Sequence, residues 1–158
     1  MSISAKPLIL VVDDQEEDRA SLSVILSNEG YPHIEASTAK EALEKAGNHD
    51  IALVLLDLGL PDSNGRLIIP QLLQIRPLNI IVVSSTLDME ERLECFSSGA
   101  DDFITKPYHR RETLARIKRS LGEYEHQRAG IVRCGSLELN ADTRQISNGD
   151  VRVEIGVK

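Results

Sequence analysis

Short apolar runs alternate with helix-period stretches over the first 121 residues. Leu8–Val12 is apolar throughout and of strand length. From Asp14 to Asn28, Leu22, Ile25 and Leu26 share one helical face, and Gly30 supplies a stop. His33–Ala36 predicts a short second strand. Ser37 or Thr38 then caps a helix carrying Ala42, Leu43 and Ala46, which Gly47 ends. Ile51–Leu56 is uninterrupted apolar sequence, the pattern of a strand buried on both faces. A turn-rich loop at Leu60–Gly65 leads into a helix over Arg66–Ile75, in which Pro70 predicts a kink or a later start. Ile80–Val83 predicts a fourth strand, Met89–Ser98 a helix closed by Gly99, and Phe103–Thr105 a brief fifth strand. A last helix covers His109–Leu121, with Leu114, Ile117 and Leu121 inward.

Strand–helix alternation repeated five times implies an α/β fold with helices on both faces of a parallel sheet. The expected class is doubly wound and flavodoxin-like, with strand order 2-1-3-4-5. Ligands of such sheets sit beyond the carboxyl ends of the strands, at the point where strand order reverses. After Leu121 the pattern changes. GEYEHQRAG is polar and reads as a linker. IVRCGSLELN, TRQIS and VRVEI follow, separated by Asn-Ala-Asp and Asn-Gly-Asp, which predicts a short antiparallel segment. The expected organisation is a first domain over 1–122, a linker over 123–130 and β-strands over 131–158.

The 158 residues carry a net charge of −7, which does not favour nucleic acid as a partner of the whole chain. The charge is uneven. From residue 126 onward five bases face four acids, leaving −8 on the first 125 residues, as if two units had different work. No apolar run approaches the ~18 residues of a membrane span, and the N-terminus shows no secretory pattern. Cys95 and Cys134 form no CxxC pair and read as ordinary cytosolic thiols, so a cytoplasmic location is expected. His33, His49, His109 and His126 show no metal-ligand spacing.

The chemistry lies at the strand ends. Asp13 and Asp14 follow the first strand, and Asp57 follows the third. In the order 2-1-3-4-5 those strands are neighbours, so three carboxylates converge. Their mutual repulsion calls for a hard divalent cation, and Mg²⁺ suits oxygen ligands. Ser84 ends the fourth strand and Lys106 the fifth, adding a hydroxyl and an ammonium. A nucleophilic carboxylate, a metal site, one hydroxyl and one ammonium make a phosphoryl-acceptor site. Each residue alone has a plainer reading: Asp13–Asp14 as a helix cap, Ser84 as strand filler, Lys106 as surface. Their joint register outweighs those readings.

The strings LILVVDDQ, LVLLDLGLPDSNG, IIVVSS, GADDFITKPY and LARIKRSL resemble the receiver domain of two-component response regulators over roughly residues 6–122. The resemblance implies that Asp57 is the phosphoacceptor, that Asp14 and Asp57 ligate Mg²⁺, that Asp13 sits beside the metal, and that the backbone carbonyl of Gly59 is a further ligand. It implies that Ser84 and Lys106 bind the phosphoryl oxygens, that Phe103 is an aromatic switch, and that the Lys106–Pro107 bond is cis. The donor would be a sensor histidine kinase, and the protein a phosphoacceptor rather than an enzyme. CGSLELNADTRQISNGDVRVEI resembles the opening antiparallel sheet of the winged-helix output domain in the OmpR/PhoB group. DNA would then be read by helices absent from this chain, and the output domain would be truncated. That group also implies a symmetric dimer through the fourth helix, fifth strand and fifth helix. Arg92 would pair with Glu112, and Asp102 with Arg116. Asp101 would want a base near residue 123, where this chain has Glu123. Leu93, Phe96 and Leu114 would form the apolar centre.

Two rival readings make different demands on the sequence. A receiver-like interaction module that is never phosphorylated would not need the intact acid set. A phosphatase of the haloacid dehalogenase type would carry Asp-x-Asp at its nucleophile, but Leu58 and Gly59 follow Asp57 here.

Overall fold

A computed structural model describes residues 6–85 and 88–122, the backbone of 123–128, and the backbones of four short strands beyond. Two compact units divide the chain, Met1–Leu121 and Gly122–Lys158. In the first, β1 (Leu8–Val12), β2 (His33–Ala36), β3 (Ile51–Leu56), β4 (Asn79–Ser84) and β5 (Asp102–Thr105) form a parallel sheet in the order β2-β1-β3-β4-β5. The helices are α1 (Glu16–Asn28), α2 (Ala39–Asn48), α3 (Gly65–Ile75), α4 (Met89–Ser98) and α5 (Arg110–Arg128). The predicted fold class and strand order are borne out.

The central strands explain the sheet. Every residue of β3 and β4 is buried, because helices cover both faces. The edges differ. β2 and β5 have four residues each and carry Glu35 and Asp102. Between sheet and helices, one apolar cluster gathers Leu10, Val54, Leu56 and Val82 with Ala42 and Ala46 of α2 and Ile68, Ile69 and Leu72 of α3.

Element ends depart from the sequence pattern in instructive ways. α1 starts at Glu16 rather than Asp14, because Asp13 Oδ1 accepts a hydrogen bond from the Gln15 amide at 2.9 Å and holds the strand end extended. Thr38 is the cap of α2, its hydroxyl accepting from the Glu41 amide at 3.1 Å. Gly47 lies inside α2, which runs on to Asn48. Pro70 sits within α3 on its exposed side. Gly99 closes α4 at φ +118°, a left-handed turn that a side chain would resist. α5 does not stop where its apolar residues stop; Glu, Gln and Arg are good helix formers and carry it to Arg128, into the segment read as a linker. Asn79 and Ser120 are both buried and satisfy each other, Asn79 Nδ2 donating to the Ser120 carbonyl at 2.7 Å and hydroxyl at 3.1 Å.

The second unit holds β6 (Ile131–Cys134), β7 (Leu137–Asn140), β8 (Gln145–Ser147) and β9 (Arg152–Glu154), antiparallel in sequential order. The turns expected at 141–142 and 148–150, and the side chain of Cys134, lie outside the described residues.

Candidate functional site

The site forms where the ladders of β1, β3, β4 and β5 run out. The Asp13 amide donates to the Ala36 carbonyl at 3.1 Å and the Asp57 amide to the Val12 carbonyl at 2.8 Å, so both acids stand at the same sheet edge. The Lys106 amide donates to the Ser84 carbonyl at 2.9 Å, which ties the end of β5 to the end of β4. Lys106–Pro107 is cis, as the resemblance implied.

One oxygen from each of Asp13, Asp14 and Asp57 lies within 4.8 Å of the others. Asp13 is 1% exposed, Asp57 9% and Ser84 7%. Lys106 Nζ donates to Asp13 Oδ2 at 2.8 Å and stands 3.6 Å from Asp57 Oδ1. The acids outnumber this ammonium, and the electrostatics show it. Burial pushes the Asp57 carboxyl up to about 6, with Asp13 and Asp14 adding to the rise and Lys106 opposing it. Burial works against the charge of Lys106, yet its bonds to Asp13 and Asp18 and the nearby Asp57 hold its pKa above the ordinary lysine value.

An open cleft of about 590 Å³ joins Asp57, Ser84 and Lys106 with Gly59, Gln15 and Glu91. Its floor is fixed by the β3–α3 loop. Gly59 bridges Asn64, and Asn64 caps α3 by accepting from the Arg66 amide at 2.9 Å. Asp62 of the same loop caps α2, accepting from the Ala39 and Lys40 amides at 2.8 and 3.0 Å. These two backbone bonds hold its carboxyl below the usual range.

Two residues of the site escaped the sequence reading. Asp18 Oδ2 accepts from Lys106 Nζ at 2.9 Å, so a carboxylate of α1 shares the lysine with Asp13. Glu16 and Glu17 precede it with the same charge, so no sequence signal sets Asp18 apart. Gly65 donates its amide to the Leu58 carbonyl at 2.8 Å, and a Cβ there would overlap the Asp57 carbonyl oxygen and stand 2.9 Å from Leu58 Cα. Nothing larger than glycine lets α3 begin this close to the Asp57–Leu58 backbone.

The residues read as a dimer face fall on α4, β5 and α5. Leu93 and Phe96 are exposed, 57% and 44%, and Leu114 is half-buried. The charges are engaged inside one chain. Arg116 Nη1 donates to both Asp102 oxygens at 2.7 and 2.9 Å, and its Nε to Glu112 at 3.1 Å. Arg92 bonds the Thr105 hydroxyl and lies over the Phe103 ring, 4.6 Å from its centroid. Phe103 itself is buried. Asp101 accepts from the Ile80 amide at 2.8 Å.

Comparison with known proteins agrees with this geometry. The chain is 26% identical over 149 residues to the cell cycle transcriptional regulator CtrA of Caulobacter vibrioides, covering 93% of this chain and 64% of that protein. It thus spans less than two thirds of that relative's length. A response regulator receiver domain protein (CheY-like) from Methanospirillum hungatei superposes with a TM-score of 0.75 at 36% identity, over 78% of this chain and 99% of that one. A response regulator from Burkholderia pseudomallei, crystallised with a phosphorylated aspartic acid, a calcium ion and citrate, superposes with a TM-score of 0.68 at 26% identity, over 78% and 74%. The model of the response regulator receiver domain matches residues 9–118, and the chain belongs to that family.

Proposed function

We propose that this receiver domain is a phosphorylation-controlled switch in which Asp57 takes a phosphoryl group from a sensor histidine kinase. The observation that carries the reading is that Asp13, Asp14 and Asp57 bring carboxylate oxygens within 4.8 Å of one another at the ends of buried apolar strands, with Lys106 bonded to Asp13 and 3.6 Å from Asp57. In the transfer, the phosphorus–nitrogen bond of the kinase's phosphohistidine breaks and a bond from phosphorus to an Asp57 carboxylate oxygen forms. Lys106 lies near enough to pair with the arriving oxygens, and Ser84 lines the same cleft.

The donor set fits Mg²⁺: hard oxygens, carboxylates in excess of nearby ammonium charge, and an Asp57 carboxyl held up to about 6 by burial, with Asp13 and Asp14 adding to the rise. Asp13, Asp14 and Asp57, with the Gly59 carbonyl, would hold the ion. Bound there, it would neutralise charge on the transferring group. The calcium ion and phosphorylated aspartic acid of the Burkholderia protein are in keeping with this reading.

The protein is not an enzyme in this reading; it is the acceptor. Phosphorylation repositions Ser84 and Phe103 and shifts the population of a homodimer formed through α4, β5 and α5. The full-length parent then acts on transcription through DNA contacts made by output helices outside this chain, in the cytoplasm. Exposed Leu93 and Phe96 favour a partner on that face. The intact mass of the chain after incubation with acetyl phosphate and Mg²⁺ tests the core of the proposal. One phosphoryl adduct, lost in Asp57→Asn and without Mg²⁺, is expected. No adduct, and no beryllofluoride complex with Mg²⁺ either, would leave the unphosphorylated interaction module as the better reading.

A further inference from the structure

Lys106 has more partners than phosphoryl chemistry needs. Asp13 holds it at 2.8 Å from the sheet edge. Asp18 holds it at 2.9 Å from the first turn of α1. Asp57, the proposed acceptor, stands at 3.6 Å, outside hydrogen-bond range. The lysine side chain is only 16% exposed, while that of Asp18 is 36% exposed and borders the cleft. The ammonium is therefore shared, and its second-tightest grip comes from a residue outside the Asp13–Asp14–Asp57 cluster.

We propose that Asp18 is a positioning residue that anchors Lys106 in the resting state and competes with the phosphoryl group for it. The inference rests on the acceptor reading of Asp57. An ammonium has three donors. In the resting site two are committed, to Asp13 and Asp18. A phosphoryl group on Asp57 draws the same ammonium toward its oxygens, and each increment of that movement lengthens the bond to Asp18. The Asp18 carboxylate also places a negative charge beside the cleft into which an anion must come. Both effects act in one direction: Asp18 raises the threshold for phosphorylation and shortens the occupied state. Glu16 and Glu17 share the turn, but among the described residues the ion pairs of Lys106 go to Asp13, Asp18 and Asp57, which separates a specific anchor from a general acidic helix start.

Titration of the protein with beryllofluoride at saturating Mg²⁺ reads this competition directly. Asp18→Asn and Asp18→Ala are expected to bind beryllofluoride about two- to fivefold tighter than wild type, the scale of one partly exposed ion pair. Glu17→Gln, which removes the same charge from the same turn, is expected to leave the affinity unchanged. The decay of acetyl-phosphate-labelled protein should slow in both Asp18 variants. Unchanged or weaker binding in those variants would overturn the proposal, as would an equal gain in Glu17→Gln. If wild type itself binds no beryllofluoride, the acceptor reading of Asp57 fails rather than the role of Asp18.

Discussion

At the carboxyl end of the sheet, Asp13, Asp18 and Asp57 share the Lys106 ammonium, and Asp14 adds a further acid beside Asp13 and Asp57. On the α4–β5–α5 face, Arg116 alone meets Asp102 and Glu112, and Arg92 is occupied by Thr105 and the Phe103 ring. In the first region acids outnumber the ammonium around a buried Asp13 and Asp57; in the second, the ion pairs close within one chain. Excess negative charge around buried carboxylates disfavours the ionised folded state, and a cation would relieve that cost. An ion pair such as Arg116–Asp102, which is partly exposed, costs little and responds weakly. The pocket holds the excess charge, and the face supplies chiefly exposed apolar surface, Leu93 and Phe96.

The contrast breaks first at Asp57. Its carboxyl sits at about 6 in the folded protein against 3.8 as its ordinary value. The native state therefore holds this proton more tightly than the unfolded chain does. The group's contribution to stability is full below about pH 4 and is lost as pH rises through 6, amounting to about 3 kcal/mol by pH 7. Asp57→Asn should stabilise the metal-free protein by up to that amount at pH 7, with the gain shrinking toward pH 4. Urea denaturation of both proteins at the two pH values measures it.

Gly65 comes next. Gly65→Ala forces a methyl group against the Asp57 carbonyl and should cost about 1–3 kcal/mol, read as a lower urea midpoint. The face gives the smallest response. Arg116→Ala should cost only about 0.2–1 kcal/mol in thermal denaturation, and 1 M salt should erase most of the difference. A larger loss there would mean that the face, too, is under load.

Much of this was legible in the sequence, for reasons that mark the limit. β3 and β4 could be read because strands covered on both faces leave uninterrupted apolar runs. Asp57 stood out because a charge at the end of such a run needs a cause. Asp18 did not, because Glu16, Glu17 and Asp18 look alike until the phase of α1 and a lysine 88 residues away select one of them. Gly65 sat in a motif without a visible duty, since a close approach between two backbones leaves no trace in hydropathy. The end of α5 was missed because apolar period and helix propensity part company after Leu121. The charged residues of the face were read as intermolecular partners; within one chain, Asp102 and Arg116 already reach each other.

The sheet's outer strands carry a consequence for how the molecule meets others. β2 and β5 are the shortest strands of the sheet, one bearing Glu35 next to Arg19 and the other beginning at Asp102 and followed at once by the cis Lys106–Pro107 bond. Brief, charged borders discourage a foreign chain from zippering on as a sixth strand. A companion approaching β5 must be recognised through side chains, which a conformational switch can rearrange, rather than through a row of main-chain amides, which it cannot. Sticky edges would make association permanent; these edges leave it reversible.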